Sequence, residues 1–196
     1  MPRRADGPPR KDQILAAAEH LFREKGYLAT SVRDIGRAVG VQGGSLYHHI
    51  GGKEELLWAI ASHAADEFFA ALQPIVASDL ATPLKLRRAI IAHVGVIANN
   101  LDAAAVYFSE WRHLNPEQRA AYTRRRDDYE NCFRQILWQG QREGLFTVPD
   151  EKFAARFVLS ALNWTHQWYR PTGPMKPEEI GGTLADLVMG GLSRMV

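Results

Sequence analysis

The stretch from Thr30 to Leu57 reads T-S-V-R-D-I-G-R-A-V-G-V-Q-G-G-S-L-Y-H-H-I-G-G-K-E-E-L-L, and it leaves few folds open. Two short apolar-periodic segments flank Gly40-Val41, and a third begins at Lys53. Thr30 or Ser31 can cap the first segment with a side-chain oxygen. Val32, Ile35 and Val39 then share one face. Gly40 ends the segment, because glycine enters the left-handed conformation of a helix terminus without a Cβ clash. Ser45-Leu46-Tyr47-His48-His49 forms the next short helix, with polar and aromatic tips and little suited to a core. A short polar-faced helix set by a glycine turn against an apolar one is the plan of a DNA-reading helix-turn-helix.

The pattern extends backwards. Ile14, Ala17, Ala18, Leu21 and Phe22 form the apolar stripe of a helix over about 9–25, closed by Gly26-Tyr27. The stretch resembles the DNA-binding domain of the TetR family of bacterial transcriptional regulators. Thr30, Val32, Asp34-Ile35, Ala38, Gly40-Val41, Ser45 to His49, Lys53, Glu55 and Leu56-Leu57 carry the resemblance, over about the first sixty residues. Four positions depart from the family pattern. Ile50 stands where Phe is usual, Gly36 where Ala is usual, and Gly51-Gly52 replaces a polar cap before Lys53. A glycine cap costs only a few tenths of a kcal/mol relative to Ser or Asn.

The resemblance implies an all-α chain. A three-helix helix-turn-helix domain over 1–52, with a basic N-terminal arm, joins a helical ligand-binding and dimerisation domain over 53–196. Charge fits this modestly. Residues 1–60 hold nine Lys/Arg against seven Asp/Glu, and the rest of the chain holds fifteen of each. The excess lies in Arg3, Arg4, Arg10 and Lys11, which suit DNA phosphates and equally suit an ordinary solvated terminus.

Periodicity beyond Lys53 is helical throughout. One helix runs from Lys53 to about Pro74 and links the two domains. A helix starts at the Thr82-Pro83 cap and N1 pair, with Leu84, Ile91, Val94 and Ile97 apolar, and breaks at Asn99-Asn100. A short helix carries Val106 to Trp111. Asn115-Pro116, with Gln118 completing a capping-box pattern, opens a helix over about 116–143. Two more are expected at about 150–169 and 177–194. In the first, Phe153, Phe157, Ala161, Trp164 and Trp168 share one face, and Val158, Leu162, Thr165 and Tyr169 share another. A helix apolar on two faces needs two partners, so the last two helices are expected to pair with a second copy of the chain.

In the DNA-binding domain, Gln42 and Ser45 are expected against base edges, and Gly43 brings backbone close to DNA without a side-chain code. Tyr47, His48, Thr30, Ser31, Arg33 and Lys53 are expected at phosphates, with Tyr47 and Lys53 the family's strongest phosphate candidates. Family logic also implies an effector pocket. Tyr107, Phe108, Trp111, Phe133, Trp164 and Trp168 are its candidate lining, although aromatic residues at helical spacing form plain cores as well.

Trp168-Tyr169-Arg170-Pro171-Thr172-Gly173-Pro174, with Ile180 and the Gly190-Gly191-Leu192 ending, is similar to the TetR-family repressors of fatty-acid, steroid-ring and aromatic-acid degradation. Those respond to acyl-CoA thioesters. Arg88 and Arg112 are then candidates for CoA phosphates, as are Arg87 and the run Arg124-Arg125-Arg126, most of which reads as a solvated helix face. Two other functions stay open. An aromatic cage with a carboxylate such as Glu110 would sense cationic drugs. A helical enzyme is opposed by the lack of a glycine-rich nucleotide loop, a metal-binding Cys/His spacing or a nucleophile elbow. No cofactor and no metal are expected. The single cysteine, Cys132, excludes an internal disulfide. No apolar run approaches the roughly 20 residues that span a bilayer, so the expected place is the cytoplasm, with DNA and an effector as partners and no membrane.

Overall fold

The computed structural model describes residues 11–40, 51–148 and 150–192. The second short helix of the sequence motif, about 43–49, lies outside them. Among the described residues the chain is helical, with no strand. The helices are α1 (Lys11–Lys25), α2 (Val32–Ala38), α3 (Lys53–Val76), α4 (Thr82–Asn99), α5 (Leu101–Ser109), α6 (Pro116–Arg142), α7 (Glu151–Asn163), α8 (Thr165–Trp168) and α9 (Pro177–Leu192). A 3-10 turn, Trp111–His113, joins α5 to α6.

Local chemistry sets the ends. Ser31 caps α2: its Oγ accepts from Asp34 N at 3.1 Å, and Asp34 Oδ2 accepts from Ser31 N at 2.9 Å. Donation from the Ser31 hydroxyl to Asp34 Oδ2 at 2.6 Å, together with that from Ser31 N, holds the Asp34 carboxyl below its ordinary range. Gly40, at φ 77°, follows α2 in the left-handed region. Asn115 caps α6 by accepting from Gln118 N at 2.9 Å, but Gln118 Oε1 is buried without a partner, so the reciprocal half of the box is not made. Asp150 caps α7. Thr82 is not a cap. It is the first residue of α4, and its hydroxyl donates to Glu143 Oε2 at 2.6 Å, tying α4 to the end of α6. The helix expected over 150–169 is two pieces, broken at Trp164.

α3 joins the two halves. Its N-terminal part packs on α1, and the rest on α4, α5 and α6. Leu56, Leu57, Ile60, Ala64, Phe68 and Leu72 supply its buried stripe. α4 lies between α3, α6 and α9. Its buried face is Leu86, Ala89, Ile90, His93, Val94 and Ile97, so Val94 and Ile97 of the expected stripe are buried while Leu84 and Ile91 give way to Leu86 and Ile90. Leu84 is exposed, and Ile91 is taken up by α9. A Cβ on Gly181 would sit 2.8 Å from Ile91 Cα, and only glycine lets the two backbones approach so closely. No single helix is long and apolar enough to cross a membrane among the described residues.

Candidate DNA-contacting surface and effector cavity

Gln42, Gly43, Ser45, Tyr47 and His48 lie outside the described residues. Of the other DNA candidates, Arg33 is exposed on α2 and available to phosphate. Ser31 is exposed, with its hydroxyl shared between capping and donation to Asp34 Oδ2. Thr30 is corrected by the structure. It is buried, and its hydroxyl donates to Leu21 O at 3.1 Å and Gly26 O at 2.9 Å, closing the end of α1.

Lys53 is also turned inward. Its ammonium donates to Tyr27 O at 2.7 Å and Thr30 O at 3.0 Å, and lies 4.1 Å from the centre of the Tyr27 ring. Partial burial lowers its pKa, opposed by the nearby Glu110 carboxylate. No side chain caps α3 at Gly52, and Glu55 Oε2 accepts from Gly51 N, one residue before the cap, at 2.6 Å. Lys53 therefore acts as a tie between the α1–α2 turn and α3. The sequence could not reveal this, since both acceptors are backbone atoms of a distant segment.

Tyr27 extends the tie. Its ring stacks on His113 of the 3-10 turn at 5.2 Å, and His113 pairs with Glu110 at 3.4 Å. Along α1, Arg23 and His20 both meet Asp102 of α5, at 2.5 and 3.1 Å, and Asn100 donates to Glu19 at 3.3 Å. α1 and the turn after it are thus pinned to α5 and the 3-10 turn.

The apolar cavity lies among α3, α4, α5, α6 and α7. Ala65, Phe68, Phe69, His93, Tyr107, Phe108, Tyr129 and Leu159 form its walls, with Asn163 and Arg126. Arg126 is the one exposed side chain of this lining and marks the mouth. Among the described residues no carboxylate lines it. Its volume is about 30 Å³, room for one or two waters. Desolvation raises the Tyr107 hydroxyl to about 12, opposed by Arg125 and Arg126, and holds Tyr129 well above its ordinary value too.

The sequence candidates for ligand binding divide. Tyr107 and Phe108 line the cavity. Phe133 is fully buried behind it, 5.8 Å from Tyr129. Trp111 instead stacks on Tyr122 at 5.6 Å, and Arg112 lies over Trp111. Arg88 is exposed on α4, away from the lining. Trp164 and Trp168 are 63 % and 45 % exposed, so they do not line it either. They continue the outer face of α7 with Phe153 and Phe157, at 71 % and 65 %. Reasoning from sequence missed His93, Phe68, Phe69 and Asn163. The available signal was a histidine on the apolar stripe of α4.

His93 gives a pH prediction. Burial lowers its pKa from 6.5 to about 3, opposed by the Asn163 side chain. Between those values the unfolded chain binds a proton that the folded chain refuses, so stability rises with pH there. The contribution is complete above about pH 7 and falls by ~1.4 kcal/mol per pH unit on acidification. Denaturant titrations should lose about 2 kcal/mol between pH 7.5 and pH 5 from this group, and His93→Phe should flatten that slope.

A second, polar cleft of about 440 Å³ separates α1 from α5 and α8. Arg23, Glu24, Glu110 and Arg170 all line it, so its charges balance. Among the described residues no cluster of His, Cys, Asp or Glu could hold a metal ion.

Comparison with known proteins follows the same division. Residues 14–60 match the family model for bacterial regulatory proteins of the tetR family, and residues 82–192 match the tetracyclin repressor-like C-terminal domain. The chain is 31 % identical over 188 residues to the HTH-type transcriptional repressor KstR2 of Mycobacterium tuberculosis, covering 94 % of each. The structure of the regulator PfmR from Thermus thermophilus is similar at TM-score 0.85 and 39 % identity, over 92 % of this chain and 99 % of that one. AibR, solved in complex with isovaleryl coenzyme A and operator DNA, is similar at TM-score 0.79 and 28 % identity, over 93 % and 97 %.

Proposed function

The chain belongs to the tetR family of bacterial regulatory proteins, and from that premise we propose that it represses transcription from an operator until an acyl-CoA thioester releases it. It is a DNA-binding regulator and not an enzyme. The observation that carries the effector class is the cavity lining. Its walls are apolar and aromatic, its one charged residue is Arg126 at the mouth, and among the described residues no carboxylate faces it. An apolar acyl group inside and phosphates outside fit that arrangement, whereas a cationic drug would find no counter-ion. AibR, a relative by sequence and fold, was solved with an acyl-CoA and operator DNA together.

The cavity as it stands is too small for an acyl group, so binding must open it. α3 supplies Ala65, Phe68 and Phe69 to the wall. Lys53, fifteen residues before Phe68 on the same helix, lies about 22 Å away and grips the α1–α2 turn. Displacing the aromatic end of α3 therefore moves the base of the DNA-binding half. We propose the boundary of the halves at Lys53, with α3 as lever. We also propose a homodimer formed through α7 and α9, working in the cytoplasm where its operator lies. Thr30 is withdrawn as a phosphate contact. Arg33, Ser31, Gln42, Gly43, Ser45, Tyr47 and His48 remain proposed DNA contacts.

A panel of acyl-CoAs of graded chain and ring size is titrated against operator-bound protein. At least one should release DNA and raise the Tm, and Arg126→Glu should weaken that compound about 10- to 100-fold through loss of a charge-assisted contact. Release by hydrophobic cations, with none by acyl-CoAs, would overturn the proposal.

A further inference from the structure

His93 stands on the cavity wall with 2 % of its surface exposed. Its Nδ1 lies 3.0 Å from the Tyr129 hydroxyl. Its Nε2 is buried and has no hydrogen-bond partner. The Asn163 side chain, on the same wall, is a polar neighbour that favours the charged ring, but its placement gives no hydrogen bond of ordinary geometry to Nε2. The rest of the wall around the ring is aromatic or aliphatic, with Phe68 at 4.8 Å and Phe108 at 6.4 Å.

The position of the proton follows from counting buried groups. A neutral imidazole carries hydrogen on one nitrogen only. The Tyr129 hydroxyl keeps its hydrogen, because burial raises its pKa well above the ordinary value. Suppose Nδ1 carried the ring proton and donated to Tyr129. The phenolic hydrogen and the Nε2 lone pair would then both be buried without partners. If instead the phenol donates to Nδ1, only Nε2–H is left unmet. Unmet buried polar groups are costly, so the second arrangement holds.

We infer that His93, fixed in its Nε2–H tautomer by Tyr129, presents one hydrogen-bond donor to the cavity, and that the effector is an apolar group carrying a carbonyl oxygen where it meets that donor. A carbonyl fits better than a hydroxyl, since it accepts without bringing a hydrogen that needs its own partner. A greasy chain without oxygen there would leave Nε2–H buried and unpaired, and a site built with such a donor rejects it. This inference deepens the acyl-CoA proposal, in which either the thioester carbonyl or a ketone on the acyl group supplies the oxygen. Tyr129 is a positioning residue: it sets the tautomer and need not touch the ligand.

Two measurements on the full-length protein test it. The first is the ¹⁵N spectrum of the histidine rings without ligand and then with cyclohexanone or cyclohexane. His93 should show the Nε2–H tautomer, and cyclohexanone should shift Nε2–H while cyclohexane does not. The second compares three CoA compounds: the cyclohexanecarbonyl thioester, the cyclohexylmethyl thioether, and the 4-oxocyclohexylmethyl thioether. In the wild type, at least one carbonyl-bearing compound should bind about tenfold tighter than the plain thioether. Which one does so identifies the oxygen as thioester or ring ketone. His93→Phe should bring the three within about threefold, and Tyr129→Phe, which frees the tautomer, should fall between.

An Nδ1–H tautomer overturns the inference. So does equal discrimination by His93→Phe, or a Nε2–H resonance that no carbonyl compound moves. If cyclohexanone shifts Nε2–H but no CoA compound binds, the donor assignment stands and the acyl-CoA proposal falls.

Discussion

Phe157→Asp combined with Trp164→Asp yields a folded monomer whose operator affinity is about 10²- to 10⁴-fold below wild type. The argument starts from exposure. Phe157 projects from the outer face of α7 and Trp164 from the residue that ends it, each about two-thirds exposed, while the inner face of α7 buries Ala155, Val158 and Leu162. A polar substitution on an exposed position rarely costs more than about 0.5 kcal/mol in stability, so the isolated chain keeps its fold. Four large apolar side chains at helical spacing, Phe153, Phe157, Trp164 and Trp168, are more exposed apolar surface than one helix face ordinarily carries. Covered by a partner, that face buries them. Two aspartates placed there would bring unpaired charges into the covered surface. A helix-turn-helix monomer holds one half-site and loses the gain from linking two. Sedimentation velocity should show the monomer mass, circular dichroism an unchanged helix content, and fluorescence anisotropy the lost affinity. A variant that stays dimeric would move the interface away from α7.

Lys53→Met separates two roles for that residue. If the ammonium is a tie, removing it strands Tyr27 O and Thr30 O and loses the cation–π contact, costing about 2 kcal/mol. For a chain of this size that lowers Tm by about 4–8 °C without any DNA present. The salt dependence of operator binding should keep its slope, because no phosphate contact is lost. Effector-driven release should weaken, since α3 has lost its grip on the α1–α2 turn. A phosphate contact gives the opposite pattern: unchanged Tm, and a salt slope reduced by about one. Calorimetry and an operator titration at three salt concentrations distinguish the two outcomes.

Much of the fold was legible because its signals are local. Ser31 to Asp34, Gly40, Asn115-Pro116 and Asp150 act on backbone groups a few residues away, so their roles can be read from order alone. The break at Asn99-Asn100 and the length of α6 followed from the same kind of signal. Misreadings came where a tertiary partner overrode local preference. Thr82 reads as a cap, yet its hydroxyl found Glu143. Thr30 reads as an exposed donor, yet the end of α1 took it inside. Of the aromatic residues proposed for the cavity, spacing alone could not say which would face inward. Tyr107 does, whereas Trp164 and Trp168 turn outward.

The sequence by itself determined the all-helical class, the family, the helix order and the presence of two apolar faces on α7. Periodicity, caps and glycines encode these through interactions within one turn of helix. Only the tertiary structure decided which aromatic residues meet, that Arg126 and not Arg88 or Arg112 stands at the cavity mouth, and that Lys53 closes on backbone carbonyls. It also placed His93 against Tyr129 with one nitrogen unmet. Those facts depend on how helices far apart in the chain are rotated against one another, and that rotation is set by the packing of the whole core.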